Sequence, residues 1–205
     1  MDIVEKALSV RNNLVQCSVN PIDYSLGIVP PYIGSGDIKL IILGQDPTVR
    51  NAAQRAKIKR TLNLDNGKGA LRMYVERICA SLGLSLDNVY ATNIYKYFYA
   101  LPPADTFDVL SLHKQPNIEL LEYELSLLGE CPVITLGEPV LQLLCDDKQK
   151  VRYFWGYDDA LFHHIAAEDN VLQRPLFVFP HQPSIRKRFY RDNLDAYLQY
   201  MRRFL

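Results

Sequence analysis

Three short segments of this 205-residue chain carry side chains that do chemistry. Gly44-Gln45-Asp46-Pro47-Thr48 offers a carboxylate, Thr92-Asn93 a carboxamide, and Pro180-His181-Gln182-Pro183-Ser184 an imidazole. A carboxylate and an imidazole are the usual groups of proton transfer. A carboxamide carries both a donor and an acceptor, enough to read a polar edge. Each also has a plain structural role: Asp-Pro makes turns, Asn caps loops, and a lone His is often structural. Their joint weight comes from position, because each segment directly follows a short apolar run.

Those runs are residues 38–43, 89–92, 132–136 and 176–179, stopped in turn by Gly44, Asn93, Gly137 and Pro180. Short unbroken apolar runs suit strands buried on both faces. Helical patterns lie between them. Leu71, Val75, Ile78, Cys79 and Leu82 share one face, and Ile118, Leu121, Leu125 and Leu128 another. Residues 2–19 predict an amphipathic helix, 20–37 a loop, and 139–145 a short helix with proline in its first turn. From about Ser184, Tyr190, Leu194, Tyr197, Met201 and Leu205 predict a single C-terminal stripe. Strands alternating with helices indicate an α/β domain with a mostly parallel sheet. Ligands of such sheets bind beyond the carboxyl ends of the strands, so Asp46, Asn93 and His181 should meet at one edge.

Lys+Arg and Asp+Glu both number 23, so net charge names no partner, but the charges are unevenly placed. Between Pro47 and Leu64 stand Arg50, Arg55, Lys57, Lys59 and Arg60 with no acid. From Ser184 onward stand Arg186, Lys187, Arg188, Arg191, Arg202 and Arg203 against Asp192 and Asp195. Two basic segments beside the expected crevice suit a polyanion such as nucleic acid, against the alternative of solvated helix faces. Gly67-Lys68-Gly69 opens the helix of residues 70–82, where free amides can hold a phosphate. Cys17, Cys79, Cys131 and Cys145 form no paired spacing, which points to reduced, buried thiols rather than zinc ligands or disulfides. The amino end lacks a basic region followed by an apolar stretch, and no run approaches the length of a membrane helix. A cytoplasmic monomer of one domain, residues 1–205, is expected, with 1–37 packing on it as a helix and loop.

These segments resemble the uracil-DNA glycosylase superfamily. Gly44-Gln45-Asp46-Pro47 looks like the water-activating motif Gly-Gln-Asp-Pro-Tyr-His of its best-known branch. Asn93 is similar to the strand-end Asn that reads uracil, and His181-Gln182-Pro183-Ser184-Ile185 to the His-Pro-Ser-Pro-Leu loop. The resemblance runs from about Ile38 to the C-terminus. It implies a three-layer αβα sandwich around a central, mostly parallel four-stranded sheet. It also implies a glycosylase that flips a nucleotide out of DNA and hydrolyses the bond between C1′ and the base. Asp46 would then position the water and stabilise the oxocarbenium-like sugar. His181 would donate to uracil O2, Asn93 would pair with O4 and N3–H, and the amide at Gln45 would assist at O2. Ile185 stands at the spacing of the family's apolar wedge, with Ser184, Arg186, Lys187 and Arg188 beside the duplex. Gly67, Lys68 and Gly69 complete the expected DNA contacts.

The chain also departs from the pattern. Thr48 stands where the best-known branch has Tyr, and Val49 where it has His. No aromatic residue lies between Pro47 and Met73 to stack on a base, which leaves Tyr95, Tyr97, Phe98 and Tyr99 as substitutes. The iron–sulfur cysteine pattern is missing, so no cofactor or metal is expected. Two other functions compete: a nucleic-acid-binding protein that lost turnover, and an unrelated doubly wound hydrolase of a small phosphorylated ligand.

Overall fold

The apolar runs form the strands of one sheet. The computed structural model describes residues 2–103, 106–146, 150–181 and 187–205. In it β2 (Leu40–Gly44), β3 (Val89–Asn93), β4 (Val133–Leu136) and β5 (Leu176–Phe179) run parallel, and all their residues are buried. With both faces covered they show no polar alternation, so each reads as an unbroken apolar run. The register sets Gly44 beside Asn93, Leu43 beside Thr135, and Leu136 beside Phe179. The carboxyl ends of all four strands therefore reach one edge.

The sheet has five strands rather than the expected four, in the order β1-β3-β2-β4-β5. β1 is only Tyr32–Ile33, antiparallel to β3, with Tyr32 opposite Ala91 and Ile33 opposite Tyr90. It lies inside the segment expected to be loop throughout, because two residues are too few to show a period. The far edge is closed differently. Ile165 exchanges both backbone hydrogen bonds with Leu176, at 3.0 and 2.9 Å. The Val178 N–H donates to Tyr197 Oη at 3.2 Å, and the Trp155 indole N–H donates to the Val178 carbonyl at 2.8 Å.

Helix α1 spans Ile3–Asn13, capped by the Asp2 carboxylate accepting from Val4 N–H. It stops well short of the expected residue 19, because Leu14 turns to extended geometry (φ −75°, ψ 146°). After the short α2 (Ala52–Arg55) comes α3 (Ala70–Leu82), which buries Tyr74, Val75, Ile78, Cys79 and Leu82. Gly83 then adopts φ +76°, and its N–H closes on the Cys79 and Ala80 carbonyls. α4 (Phe107–Ser126), α5 (Glu138–Leu144) and α6 (Val151–Phe154) follow. The expected C-terminal stripe is two helices, α7 (Lys187–Asp192) and α8 (Leu194–Met201). They part at Asn193, whose carboxamide donates to the Trp155 carbonyl at 2.8 Å, and Leu205 is left 44% exposed.

α1 packs on α4 and α4 on α5, while α3 packs on α8, and one continuous core joins α3, α4, α5 and α8 to the sheet. Cys79, Cys131 and Cys145 are buried, and Cys17 is half-buried. No helix among the described residues is long and apolar enough to cross a membrane.

Candidate active site

The carboxyl edge of the sheet opens into a cleft of about 590 Å³. Gln45, Asp46 and Thr48 enter it from the exit of β2, Asn93 from the end of β3, and His181 from the exit of β5. The expected convergence of carboxylate, carboxamide and imidazole is therefore present in the geometry. The exit of β4 also contributes, through Gly137, Pro139 and Val140. The same strand-end rule pointed there, but the ionisable residue that follows that strand, Glu138, does not line this cleft.

Asp46 sits in a tight turn, its Oδ1 accepting the Thr48 N–H at 2.7 Å. Burial pushes its carboxyl from an ordinary 3.8 to about 6, opposed by hydrogen bonds from Thr48 and the charge of Arg55. It is still ionised at pH 7, as a base less well hydrated than a surface carboxylate. Thr48 lines the cleft, but its hydroxyl accepts the Tyr99 N–H at 2.9 Å and so also ties the two loops together. Arg55 does not reach out to a polyanion, contrary to its place in the basic segment. It is buried, with Nε donating to the Val49 carbonyl at 2.9 Å and Nη1 to those of Tyr99 and Ala100 at 3.0 Å. Its charge bears on Asp46 instead.

Asn93 is 2% exposed, and its Oδ1 has no hydrogen-bond partner among the described residues. A buried amide oxygen without a donor costs about 1–3 kcal/mol, so an unpaired one in a cleft suits a ligand N–H. Gln45 Nε2 is likewise buried and unpaired, and Gln45 lines the same cleft. Two features hold Asn93 in place. A Cβ added to Gly44 would lie 2.3 Å from Asn93 Oδ1, so only glycine fits opposite it. Lys96 Nζ donates to the Asn93 carbonyl at 2.8 Å and pairs with Glu124 Oε2 at 2.6 Å, both side chains fully buried. Tyr90 Oη donates to Glu124 Oε1 at 2.7 Å. This buried pair escaped the sequence reading, because a lysine in an aromatic run looks like a solvent contact.

His181 is exposed at the cleft rim. Partial loss of water holds its imidazole below the usual histidine range, so it is neutral at pH 7 and can donate one N–H. Gly137, at φ +95°, passes close beneath it, and a Cβ there would lie 3.4 Å from His181 Cβ. Tyr74 Oη donates to the Pro180 carbonyl at 3.4 Å and anchors the approach to His181.

The side walls are aliphatic: Val49, Leu62, Leu71, Leu136 and Val140. Leu62 reaches the cleft from a left-handed backbone (φ 56°), followed by Asn63 at φ 54°. Such geometry is costly for a branched residue and is kept only where the surroundings impose it. Thr61 N–H and Oγ1 both bond to the Pro30 carbonyl, at 3.0 and 3.1 Å, and brace that turn.

The tyrosines proposed as stacking substitutes lie elsewhere. Tyr95, Tyr97 and Tyr99 are at most 1% exposed and pack edge to face on one another. Their hydroxyls bond to the Leu110 carbonyl, to Asn117 and to His113, and Phe98 is buried as well. Gly67 and Lys68 are exposed in the turn before α3, while Gly69 borders an apolar annex of about 250 Å³ behind Leu62 and Leu71. Arg188 lines a different hollow, and Lys187 begins α7. Gln182, Pro183, Ser184, Ile185 and Arg186 lie outside the described residues. No cluster of three or more His, Cys, Asp or Glu side chains among the described residues could hold a metal ion. No protein-family model matches the chain, and no curated protein matches it.

Proposed function

We propose that the chain is a DNA glycosylase. It hydrolyses the N-glycosidic bond of uracil or a related damaged base, on a three-layer αβα sandwich of the uracil-DNA glycosylase kind. One observation carries this: Asn93, whose buried Oδ1 has no hydrogen-bond partner among the described residues, lines the same cleft as Asp46 and His181. A flipped uracil satisfies that oxygen with its N3–H, whereas cytosine presents a lone pair there and leaves both groups unpaired. Ionised Asp46 positions a water at C1′ and faces the positive sugar as the bond to the base breaks. Neutral His181 donates to the charge that develops on O2 of the leaving base. The C1′–N bond breaks with its electron pair on the base, and the water supplies the hydroxyl that ends on C1′ while its other proton passes to the Asp46 carboxylate.

One observation favours the second reading, a nucleic-acid-binding protein without turnover. The described cleft walls offer no aromatic face on which a flipped base could stack. Incubation with labelled uracil-containing single- and double-stranded DNA, then alkaline cleavage of abasic sites, separates the two. Strand scission dependent on the protein is expected. Binding without scission, across uracil, hypoxanthine, xanthine and G·T substrates, would leave only the binding function.

A further inference from the structure

A second hollow, of about 560 Å³, lies beside the cleft. The two are separated by the first turn of α5: Gly137 and Pro139 line the cleft, and Glu138 lines the hollow. Its floor is aromatic, with Trp155 and Phe189 almost fully buried and Tyr157 partly so. Lys150, Arg152 and Arg188 surround the opening.

The cations there are unequally engaged. Arg152 Nε is held by Asp158 at 2.8 Å. Asp192 is gripped by Arg191 through two bonds, at 2.6 and 2.9 Å, so Arg188 approaches it only to 3.6 Å. The Arg188 guanidinium instead lies over the Tyr157 ring, 5.1 Å from its centroid. Stacking of this kind holds the guanidinium plane while leaving N–H donors free for an oxyanion. Lys150 makes no ion pair among the described residues. The Tyr157 hydroxyl is a buried group with no hydrogen-bond partner there. Two loosely held cations and an unpaired hydroxyl above aromatic rings suit a phosphate attached to a nucleoside.

We propose that this hollow binds a phosphodiester group of the DNA strand, at a nucleotide neighbouring the one held in the cleft, through Lys150, Arg188 and the Tyr157 hydroxyl. This rests on the cleft being a nucleic-acid site and adds a second grip along the same strand. The sequence drew notice to Arg188 but not to Lys150 or Tyr157, which fall between the basic segments.

The test is fluorescence anisotropy of an undamaged, labelled single-stranded oligonucleotide across a salt series. Each phosphate neutralised on a single strand adds about 0.7 to the slope of log K against log salt. The exposed double variant Lys150→Gln/Arg188→Gln should lower that slope by roughly 0.7, for the one phosphodiester no longer neutralised, and weaken binding at low salt on the order of tenfold. Lys6→Gln/Lys39→Gln, with the same charge loss on α1 and before β2, is the control. Tyr157→Phe keeps the ring beneath Arg188 and should weaken binding without changing the slope. A double variant indistinguishable from the control overturns the assignment. Loss of deoxynucleoside monophosphate binding with oligonucleotide binding intact overturns it too, in favour of a free phosphate ligand. Because the oligonucleotide is undamaged, no base release enters the measurement, and failure of the glycosylase function would leave this result standing.

Discussion

Replacing Asp46 with Asn should make the protein more stable at neutral pH while depriving it of base release. The folded protein binds the Asp46 proton more tightly than the unfolded chain does, since burial lifts its pKa from 3.8 to about 6. Stability is therefore full below about pH 4 and declines as pH rises through 6, because the folded state must carry an ill-hydrated carboxylate. At about 1.4 kcal/mol per tenfold change in acidity, the rise corresponds to roughly 3 kcal/mol as a ceiling. Asp46 is partly open to the cleft, so solvent screening reduces this to about 1–2 kcal/mol. An Asn carboxamide can still accept the Thr48 N–H, so the turn survives. For a chain of this size, that gain should raise Tm by about 2–8 °C at pH 8. Melting curves of both proteins between pH 4 and 8 give the answer: the curves should coincide in acid and separate through pH 6. Single-turnover base release should fall about 10²–10⁴-fold in the variant, and wild-type release should decline below about pH 6. A stability difference that is absent, reversed or equal at pH 4 and 8 would refute the argument that burial strains this carboxylate.

His181→Ala should slow single-turnover release about 10²–10³-fold by removing the donor to the leaving base, without an equal loss of DNA affinity in anisotropy titrations. Release at the wild-type rate would remove His181 from the chemistry. Gly44→Ala should push the Asn93 carboxamide out of position, cost about 1–3 kcal/mol in urea denaturation, and slow uracil release more than tenfold. A fully active, equally stable variant would mean that the close approach is unimportant. Lys96→Met should cost about 3–5 kcal/mol by leaving Glu124 buried and uncompensated, and Lys96→Met/Glu124→Gln should recover much of that. A double variant no more stable than the single one would sink the idea that the pair acts as a unit.

The elements and site residues that could be read in advance share one physical trait. Strands buried on both faces must be apolar throughout, so residues 38–43, 89–92, 132–136 and 176–179 announced β2 to β5. The same rule directed attention to Asp46, Asn93 and His181 just beyond them. What escaped notice depends on long-range partners. β1 exists because Ala91 and Tyr90 offer a free strand edge, and nothing in Tyr32-Ile33 alone specifies pairing. Arg55 looked like a solvent-facing cation, yet three carbonyls from two loops enclose it. The tyrosines at 95, 97 and 99 alternate like a strand face, and sequence spacing could not say that they point inward toward His113 and Asn117. Leu62 entered the cleft through a left-handed turn that no propensity favours.

The closure of β5 has a consequence for how this molecule tolerates crowding. The outward-facing amides and carbonyls of Leu176 and Val178 are all engaged, by the Ile165 backbone, the Tyr197 hydroxyl and the Trp155 indole. An all-apolar strand with free polar groups along its margin is a template for strand addition from another chain. Here that template is occupied by one short backbone stretch and two side chains, so Leu-Phe-Val-Phe can remain fully hydrophobic without nucleating fibrils. The protection is only as durable as those few bonds, and loss of either aromatic hydrogen bond would bare a strand suited to polymerisation.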